Sequence, residues 1–449
     1  MKIPLSPKPF LALMQELTNL EKILGITALV NGRYLHWDQI RHREPPEGLT
    51  HEEWWTGVRL ARTGLLKAVP LVDKQNRALQ FAMPDPIQRS IHNIDRLAAG
   101  NVEMPLPIVS EGQRDRYLVS SLIEEAITSS QLEGASTTQD VAKAMLRSGR
   151  APRDRSEQMI LNNYRVMQDI RDLKEEPMTP DLLMRMHRIV TLDTLDDPGG
   201  AGRLRLPNED IKVVDHKSQI VLHEPPAAKT LPGRLQRLCD FANRHESEEP
   251  FVHPLIKAIL LHFMLGYDHP FVDGNGRTAR ALFYWSLARA GYWLMEYVSI
   301  SRLLKEAPAQ YARSYLYTET DENDATYFID HQLGVIEKAI AALHDYLARK
   351  ASEQASAEAI LRHAPKLSEQ LNHRQVALLS HALRHPEHAY TVASHERSHR
   401  VTPQTSRTDL QYLANLGLLD KSKRGRAFVF YAPNDLRERI QQAASLKQG

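Results

Sequence analysis

The stretch HPFVDGNGRTAR, residues 269–280, gathers side chains that could carry out chemistry on a phosphate group. Arg277 and Arg280 lie three apart, so on a helix they share a face, and their planar forks fit phosphate oxygens. Asp273 offers a hard oxygen for a Mg²⁺ ion shared with the phosphates. His269 can act as a base near neutral pH. Together these residue types predict a site for group transfer from a nucleotide.

The flanking sequence indicates how these side chains are positioned. PLIKAILLHFMLGY has the pattern of a helix that leads into the stretch, and RTARALFYWSLARAG that of a helix that leads out. The loop DGNG, residues 273–276, therefore opens a helix, where free N–H groups and the positive end of the helix dipole favour an anion. An ordinary charged turn is the alternative. The Walker A pattern GxxxxGK[ST] does not occur, so the stretch is not a P-loop.

Composition indicates a folded, soluble protein. Of its 449 residues, 42% are hydrophobic and 25% charged, and the formal net charge of +2 indicates neither a nucleic-acid coat nor a membrane-surface protein, except through a local patch. Cys239 is the single cysteine, which excludes an internal disulfide and a thiolate metal cluster. No signal-peptide core is evident, and no apolar run approaches the roughly 18 residues that a membrane helix needs. We expect a soluble cytoplasmic protein without a membrane partner.

The pattern along the chain predicts a mostly α fold in four parts. Residues 1–100 form an N-terminal helical extension with the tryptophan-rich segment YLHWDQIRHREPPEGLTHEEWW, whose chemistry indicates no role. Residues 101–347 form a helical core, interrupted at 210–226 by a hairpin of two β-rich arms around a polar turn. Residues 348–371, rich in Ala, Ser and Glu, form a linker, and residues 372–449 form a second domain.

HPFVDGNGRTAR as a whole resembles the signature of the Fic (filamentation induced by cyclic AMP) family, HxFx(D/E)GNGRxxR, with every defined position met. The resemblance implies a mostly α-helical Fic core, with ATP and Mg²⁺ as substrate and metal. It implies transfer of AMP to a hydroxyl group of a target protein or of the chain itself. The implied roles are a base at His269, a metal ligand at Asp273, an aromatic anchor at Phe271, an anion cradle at Gly274, Asn275 and Gly276, and phosphate binding at Arg277 and Arg280.

Two further segments resemble parts of the same family. GAGRLRLPNEDIKVVDHKSQIVLHEPP resembles the Fic flap, a hairpin whose edge positions the target protein by main-chain pairing, and a plain structural hairpin is the alternative. QYARSYLYTETDENDATYFIDHQL resembles the segment that closes the nucleotide pocket. Tyr311 and Tyr315 are its candidates to line the adenine, although tyrosines in the core fit the pattern equally well.

The segment SSQLEG, residues 129–134, matches the inhibitory pattern of the family, (S/T)xxxE(G/N). Ser129 and Glu133 lie four apart and share one face of a helix. The resemblance implies that Glu133 pairs with Arg280 and takes the place that the γ-phosphate needs. A solvated helix glutamate is the ordinary alternative for so short a pattern.

The C-terminal part has the pattern of a winged helix-turn-helix domain, with three helices and then a basic turn and a short β arm. Gln404, Thr405 and Arg407 of the third helix could reach base edges in DNA. Such domains also dock proteins or dimerise, and a homodimer is possible here. The candidate contacts to a phosphate backbone are Arg397, Arg400, Arg407, Lys421, Lys423, Arg424 and Arg426.

Two functions from different classes therefore stay open. The first is a Mg²⁺-dependent protein adenylyltransferase held off by Glu133. The second is a nucleotide-sensing transcriptional regulator that binds DNA through the winged helix. Other members of the family move different phosphate-linked groups or remove AMP, but Arg280 favours a nucleoside triphosphate because a second arginine is most useful when a γ-phosphate is present.

Overall fold

The computed structural model describes residues 2–17, 20–99, 111–215, 218–362, 370–385, 388–399, 401–424 and 427–445. Helices dominate this part of the chain, which confirms the predicted mostly α fold. The helices are α1 (Phe10–Glu16), α2 (Leu20–Leu24), α3 (Trp37–Ile40), α4 (His51–Thr63), α5 (Asp85–Ala98), α6 (Glu111–Leu132), α7 (Gln139–Ser148), α8 (Arg155–Leu173), α9 (Pro180–Thr191), α10 (Leu231–Asn243), α11 (Pro254–Asp268), α12 (Asn275–Arg289), α13 (Ile300–Glu306), α14 (Pro308–Thr320), α15 (Thr326–Arg362), α16 (His373–Arg384), α17 (Val392–His399), α18 (Pro403–Asn415) and α19 (Leu436–Ser445).

The strands are short and form three small sheets. In the first two sheets, neighbouring strands pair antiparallel as hairpins, and the third has the order β5-β7-β6. The strands are β1 (Lys67–Val72), β2 (Ala78–Phe81), β3 (Val213–Val214), β4 (Val221–His223), β5 (Ala389–Tyr390), β6 (Asp420–Arg424) and β7 (Ala427–Tyr431). The pair β3–β4 lies in the predicted hairpin at 210–226, of which residues 216 and 217 are outside the described residues.

The chain divides into two compact units, Met1–Leu343 and His344–Gly449. In the first unit, α11 and α12 pack against each other at the centre of the largest hydrophobic core. Residues Leu255–Leu265 of α11 are buried apart from Lys257, because this helix is apolar around nearly its whole circumference. The loop that joins α11 to α12 is therefore anchored at both ends in the core.

The N-terminal extension, residues 1–100, is mainly helical, but it also contains the hairpin β1–β2, which the sequence analysis did not identify. Val69 and Leu71 of β1 and Leu79 and Phe81 of β2 are buried. Alternate residues of each strand thus face the core, which is the period of a half-buried strand. The segment KAVPLVDKQNRALQF carries this alternation, and its proline and short length obscured it. The five helices α1 to α5 and the hairpin of this N-terminal segment pack within the first unit.

The second unit has its own small core, built from α16, α18, β7 and α19. The three helices α16 to α18 and the hairpin β6–β7 follow in the order that the sequence predicts, and β5 adds a third strand. Asn372 caps α16 by accepting hydrogen bonds from Arg374 N and Gln375 N, and Thr402 caps α18. The winged-helix assignment itself stays a prediction.

Across the described ranges, no helix combines the length and the apolar character needed to cross a membrane. The cytoplasmic location stays a prediction.

Candidate active site

The loop between α11 and α12 carries the residues that the sequence singles out. α11 ends at Asp268, and His269 follows in a left-handed conformation with a φ of 43°. Gly274 has a φ of 81°, and a Cβ there would lie 2.6 Å from Thr191 Cγ2, so both conformation and space favour glycine. α12 then begins at Asn275. The loop thus opens a helix, as the flanking sequence predicts.

The side chain of Asn275 closes this loop on itself. Its Oδ1 accepts a hydrogen bond from Phe271 N at 2.9 Å, and its Nδ2 donates to Phe271 O at 2.9 Å. Both residues are buried. The amide side chain of Asn275 therefore shapes the loop, while its main-chain N–H lies in the first turn of α12, where no intrahelical carbonyl is available to it.

A buried histidine that the sequence analysis did not single out supports the same loop. The ring of His187 in α9 stacks on Phe271 with centroids 3.7 Å apart. Its Nδ1 accepts from Gly202 N at 3.0 Å, so the proton is on Nε2, which donates to Asp273 O at 2.9 Å. Burial lowers the pKa of His187 to about 4, which keeps the ring neutral. The one signal in the sequence was its place among the apolar positions of α9, where a core histidine is the usual interpretation.

His269 lies at a cavity of about 200 Å³. Its Nδ1 lies 3.2 Å from Gly266 O, so Nδ1 carries a proton to donate and the lone pair of the neutral ring is on Nε2. Burial lowers the pKa of His269 to about 4, and the charge of Glu133 opposes part of that shift. His269 is therefore neutral at pH 7, the form in which an imidazole can accept a proton.

Arg205, a second residue that the sequence analysis missed, holds the main chain at this histidine. Its Nε donates to His269 O at 2.9 Å, and its main-chain N donates to Pro270 O at 2.8 Å. Its Nη2 donates to Pro226 O, at the end of the hairpin segment. The Arg205 side chain is buried, and although Arg205 lies in the segment that resembles the Fic flap, the sequence assigned it no role of its own. It ties the left-handed turn at His269 to the hairpin segment.

Arg277 and Arg280, both on α12, are buried but have different hydrogen-bond partners. Arg277 Nη1 donates to Val190 O at 2.9 Å, and its Nη2 lies 3.5 Å from Asp273 Oδ1. Arg280 Nε donates to Ser129 Oγ at 2.8 Å, and Arg280 Nη2 donates to Ser129 O at 3.0 Å. The pair is close in sequence and on the same helix, yet each guanidinium is oriented by its own set of oxygens.

Glu133 lies against the start of α12. Its Oε1 is 2.9 Å from Arg280 Nη2. A Cβ at Gly276 would collide with that oxygen and would lie 2.7 Å from Glu133 Cδ, so the carboxylate rests directly on the glycine. Burial disfavours the charge of Arg280, but the Glu133 carboxylate acts together with Tyr311 and Glu125 against it, and the pKa of Arg280 is raised. A carboxylate thus occupies the position where the helix start favours an anion.

Arg277 and Arg280 each keep N–H groups that donate no hydrogen bond to any described residue. Within the described part of the chain, Arg280 Nη1, Arg277 Nε and Arg277 Nη2 are buried without a hydrogen-bond partner. Buried donors without partners cost free energy, so their presence is an indication of a bound group. The number and type of these donors suit phosphate oxygens.

Asp273 is the one carboxylate of the loop, and its side chain is 41% exposed. Its Oδ1 accepts from Gly274 N at 2.5 Å, and its Oδ2 lies 3.7 Å from Arg155 Nη2. Among the described residues, no group of three or more His, Cys, Asp or Glu side chains could hold a metal ion. A single carboxylate suits Mg²⁺, which is commonly held by one or two carboxylates together with substrate phosphates.

Tyr311 and Tyr315 of α14 both line the cavity at His269. The Tyr311 hydroxyl lies 2.8 Å from His262 Nε2, and the Tyr315 ring stacks on Phe263 at 5.0 Å. The two tyrosines are therefore packed against the core on one side and open to the cavity on the other.

The hairpin β3–β4 forms the opposite wall of this cavity, with Val213 and Leu222. His223, at the end of β4, has oxygen acceptors at both ring nitrogens. Its Nε2 is 2.7 Å from Tyr267 O, and its Nδ1 is 2.7 Å from Glu319 Oε2. His223 thereby joins the hairpin to both α11 and α14.

In the second unit, Gln404 and Arg407 lie on the exposed surface of α18, and Thr405 is half-buried. Arg397 in α17 and Lys421 and Lys423 in β6 are exposed. Lys421 Nζ donates to Gln411 Oε1 of α18 at 2.5 Å. Arg400, Arg426 and the side chain of Arg424 lie outside the described residues.

Three comparisons with known proteins each find similarity to Fic proteins. The family model described as Fic/DOC family matches residues 177–287. A protein adenylyltransferase Fic from Nematostella vectensis is 37% identical over 119 residues, which cover 26% of this chain and 25% of that protein. The protein adenylyltransferase Fic of Drosophila willistoni is 44% identical over 70 residues, 16% of this chain and 14% of that protein. The aligned parts thus span a quarter or less of these relatives.

The fold has a solved counterpart. The crystal structure of a Fic family protein from Desulfovibrio desulfuricans G20 matches with a TM-score of 0.51 and 17% identity, and the match covers 79% of this chain and 98% of that one. At this identity the likeness concerns the fold alone. The match to the Fic/DOC family model at residues 177–287 includes the whole loop from His269 to Arg280, and this part of the chain is a Fic/DOC family domain.

Proposed function

We propose that this protein transfers AMP from ATP to a hydroxyl group of a protein, and that Glu133 inhibits the reaction. One observation carries the proposal. The Glu133 carboxylate rests on Gly276 and pairs with Arg280 at 2.9 Å, at a helix start that favours anions. A site built for an anion is thereby filled by a side chain of the same protein. Relatives named protein adenylyltransferase Fic support the reaction type.

In the proposed reaction, a hydroxyl oxygen of the target attacks the α-phosphorus of ATP, and the bond to the β-phosphate oxygen breaks. Pyrophosphate leaves, and the hydroxyl proton passes to Nε2 of His269. The neutral state of His269 and its hydrogen bond to Gly266 O support this direction of proton transfer. The start of α12 and the free donors of Arg277 and Arg280 stabilise the phosphate charge.

Asp273 is the residue that would hold Mg²⁺. When bound, the ion neutralises charge on the phosphates and on the leaving pyrophosphate. Tyr311 and Tyr315 would line the adenine, since both face the cavity. The target would dock on the hairpin segment at 210–226 by main-chain pairing along its edge.

The inhibited state follows from competition for one position. A γ-phosphate that needs the donors of Arg280 meets the Glu133 carboxylate there, and two anions cannot share one guanidinium closely without strong repulsion. Ser129 assists Glu133, because its hydroxyl and carbonyl oxygens orient Arg280 toward α6.

The test is transfer of label. The protein and its Glu133→Gly variant are incubated with Mg²⁺ and ATP labelled at the α- or the γ-phosphate. We expect α-label in protein, more of it with Glu133→Gly, and none when His269→Ala is added. Incorporation of γ-label would indicate phosphorylation and would refute the proposed reaction. Chelation of Mg²⁺ should abolish the signal.

A second function has its own support in the second unit. Arg397, Arg407, Lys421 and Lys423 expose positive charge on α17, α18 and β6, which suits a phosphate backbone. We propose DNA binding there as the alternative role. A mobility shift that weakens with salt is the expected result, and docking of a protein or a homodimer is indicated if no shift occurs.

A further inference from the structure

The turn between α14 and α15, residues 321–325, is held by contacts with the N-terminal segment, residues 2–99. Arg59 of α4 makes two ion pairs with this turn. Its Nη1 lies 2.9 Å from Asp321 Oδ1, and its Nη2 lies 2.6 Å from Glu322 Oε2. The side chains of Arg59 and Asp321 are only 6% and 1% exposed, so this contact is shielded from water and salt.

A second arginine of α4, Arg62, adds contacts to the same turn through two tyrosines. Arg62 is fully buried, and its Nη1 donates to the Tyr327 hydroxyl at 2.7 Å. The same hydroxyl donates to Asp321 Oδ2 at 2.6 Å. The guanidinium carbon of Arg62 lies 3.6 Å from the centre of the Tyr34 ring, and Tyr34 donates to Asp324 Oδ2 at 2.5 Å. Charge and hydrogen bonding thus continue from α4 through two tyrosines to the turn.

The hairpin β1–β2 holds the turn from another direction. Gln80 N donates to Asn323 O at 3.1 Å, and Ala325 N donates to Gln80 O at 2.8 Å. Asn323 Nδ2 donates to Asp73 Oδ2 at 2.9 Å. The turn is therefore bound through its main chain as well as through its side chains, and it cannot shift without breaking several buried contacts.

The helix that ends at this turn is a wall of the candidate active site. Tyr311, Tyr315 and Glu319 of α14 line the cavity at His269, and Glu319 bonds His223 of the hairpin. On its other side, α14 adjoins a cleft of about 300 Å³, which is lined by Gln310, Arg313, Ser314 and Tyr317. Packing on that side of the helix is thus incomplete, and the contacts of the turn that follows the helix help to set its position.

We propose that the N-terminal segment is a positioning element for the nucleotide cavity, and that Arg59 is its principal positioning residue. By fixing the 321–325 turn, Arg59 sets the position of α14 and, through Glu319 and His223, the position of the hairpin wall of the cavity. This inference rests on the proposed function, because it takes the cavity as the nucleotide site. It gives the tryptophan-rich N-terminal segment a role in nucleotide affinity.

The test compares Arg59→Gln and Tyr34→Phe, each in the Glu133→Gly protein, with that parent. We expect KM for ATP and the Kd of a fluorescent ATP analogue to rise about tenfold with Arg59→Gln, and less with Tyr34→Phe. The change in kcat should stay below about twofold, since a displaced wall weakens binding in ground and transition states alike. Amide hydrogen exchange in the α14 peptides should become faster.

Two controls separate this role from general destabilisation. Arg59→Lys keeps the charge and should restore much of the affinity. Arg374→Gln breaks an ion pair to Asp409 at 2.7 Å in the second unit and should leave ATP binding unchanged. Thermal unfolding of every variant identifies any that do not fold, and Tyr34→Phe, which loses a single hydroxyl, then serves as the variant that decides.

The outcomes distinguish the two proposals. A folded Arg59→Gln protein that binds ATP as tightly as its parent overturns the positioning role, whether or not exchange in α14 changes. Unchanged exchange in α14 overturns it as well. A parent protein that neither binds ATP nor transfers α-label overturns the proposed function, and with it the assignment of the cavity.

Discussion

Glu133 Oε1 lies 2.9 Å from Arg280 Nη2, although 147 positions separate the two residues. Arg280 is almost completely buried, whereas the Glu133 side chain is 28% exposed. The cation is therefore fixed in the core, and the carboxylate approaches it from the solvent side. In such a pair the exposed partner is the one that can leave. The arrangement thus suits a carboxylate that can be displaced from a guanidinium that stays in place.

Replacing Glu133 should increase AMP transfer, and two variants separate the effect of its charge from the effect of its bulk. Glu133→Gly removes both the charge and the bulk over Gly276, and we expect AMP transfer to increase about tenfold or more, as for the loss of at least 1.4 kcal/mol of competing interaction. Glu133→Gln removes the charge but keeps the bulk, so its increase should be smaller. Incorporation of α-label into protein measures both.

Glu124→Gln is the matched control, because Glu124 lies on α6, the helix that ends directly before Glu133, and its carboxylate lies 3.7 Å from Arg302 Nε, away from the candidate site. Its transfer rate should equal that of the unmodified protein. Equal rates for all four proteins would remove Glu133 from any inhibitory role.

Gly276→Ala tests whether the carboxylate and the phosphates use the same space. The added Cβ would collide with the position of Glu133 Oε1, and Arg280 Nη1 would be 3.1 Å away. In the Glu133→Gly background we therefore expect Gly276→Ala to abolish ATP binding in an equilibrium assay. Gly334→Ala is the control, because no atom lies within 4 Å of the Cβ it would add. Tight ATP binding by Gly276→Ala would separate the phosphate site from the Glu133 site.

The sequence predicted the loop geometry well because HPFVDGNGRTAR carries local signals. Gly274 marks the left-handed turn, Asn275 marks the helix start, and the apolar helices on either side anchor the loop in the core. The predicted approach of Glu133 to Arg280 also matches the geometry found, although the inhibitory role stays a prediction. In both cases a short, specific pattern encoded a contact.

The supporting residues could not be predicted in this way. His187 and Arg205 bind main-chain atoms of the loop from distant segments, and main-chain acceptors leave no mark in the sequence. Arg59 contacts Asp321 across 262 positions, and although Asp321 lies in the segment that resembles the one closing the nucleotide pocket, nothing in the sequence pairs it with Arg59. The different orientations of Arg277 and Arg280 likewise depend on α9 and α6, whose positions only the folded chain reveals.

Asn275→Asp should damage the loop while it preserves the shape of the side chain. A carboxylate can accept from Phe271 N but cannot donate to Phe271 O, so two oxygens would face each other in a buried place. We expect the free energy of unfolding to fall by about 1–3 kcal/mol and AMP transfer to be lost in the Glu133→Gly background. Chemical denaturation and α-label incorporation measure the two effects.

Asn243→Asp is the control for this change. Asn243 braces Met178 with the same two bonds, at 2.8 Å and 2.7 Å, on an exposed part of the first unit. Its stability cost should be smaller and its transfer activity retained. Full activity of Asn275→Asp would show that the brace at Phe271 is dispensable.

The pH dependence of transfer reports on His269. Burial lowers its pKa from 6.5 to about 4, and since the charge of Glu133 opposes this shift, the Glu133→Gly variant should have a lower value still. The base is active when neutral, so its activity is present above this pKa and is lost as the pH falls through it. We expect kcat/KM of Glu133→Gly to show no midpoint near 6.5 and to decline only as the pH falls below about 4.

Acid unfolding has to be separated from this titration. Burial also lowers the pKa of His187 to about 4 and that of His262 to about 3. Both rings are neutral in the folded protein, so the stability that they contribute is complete above pH 6.5. That stability falls as the pH drops from 6.5 toward those two values. Circular dichroism at each pH, with recovery of activity on neutralisation, identifies the range in which the protein stays folded. A midpoint near 6.5 in folded protein would contradict the buried, neutral base. A flat profile above about pH 6 would mean that the base is neutral and ready at every physiological pH.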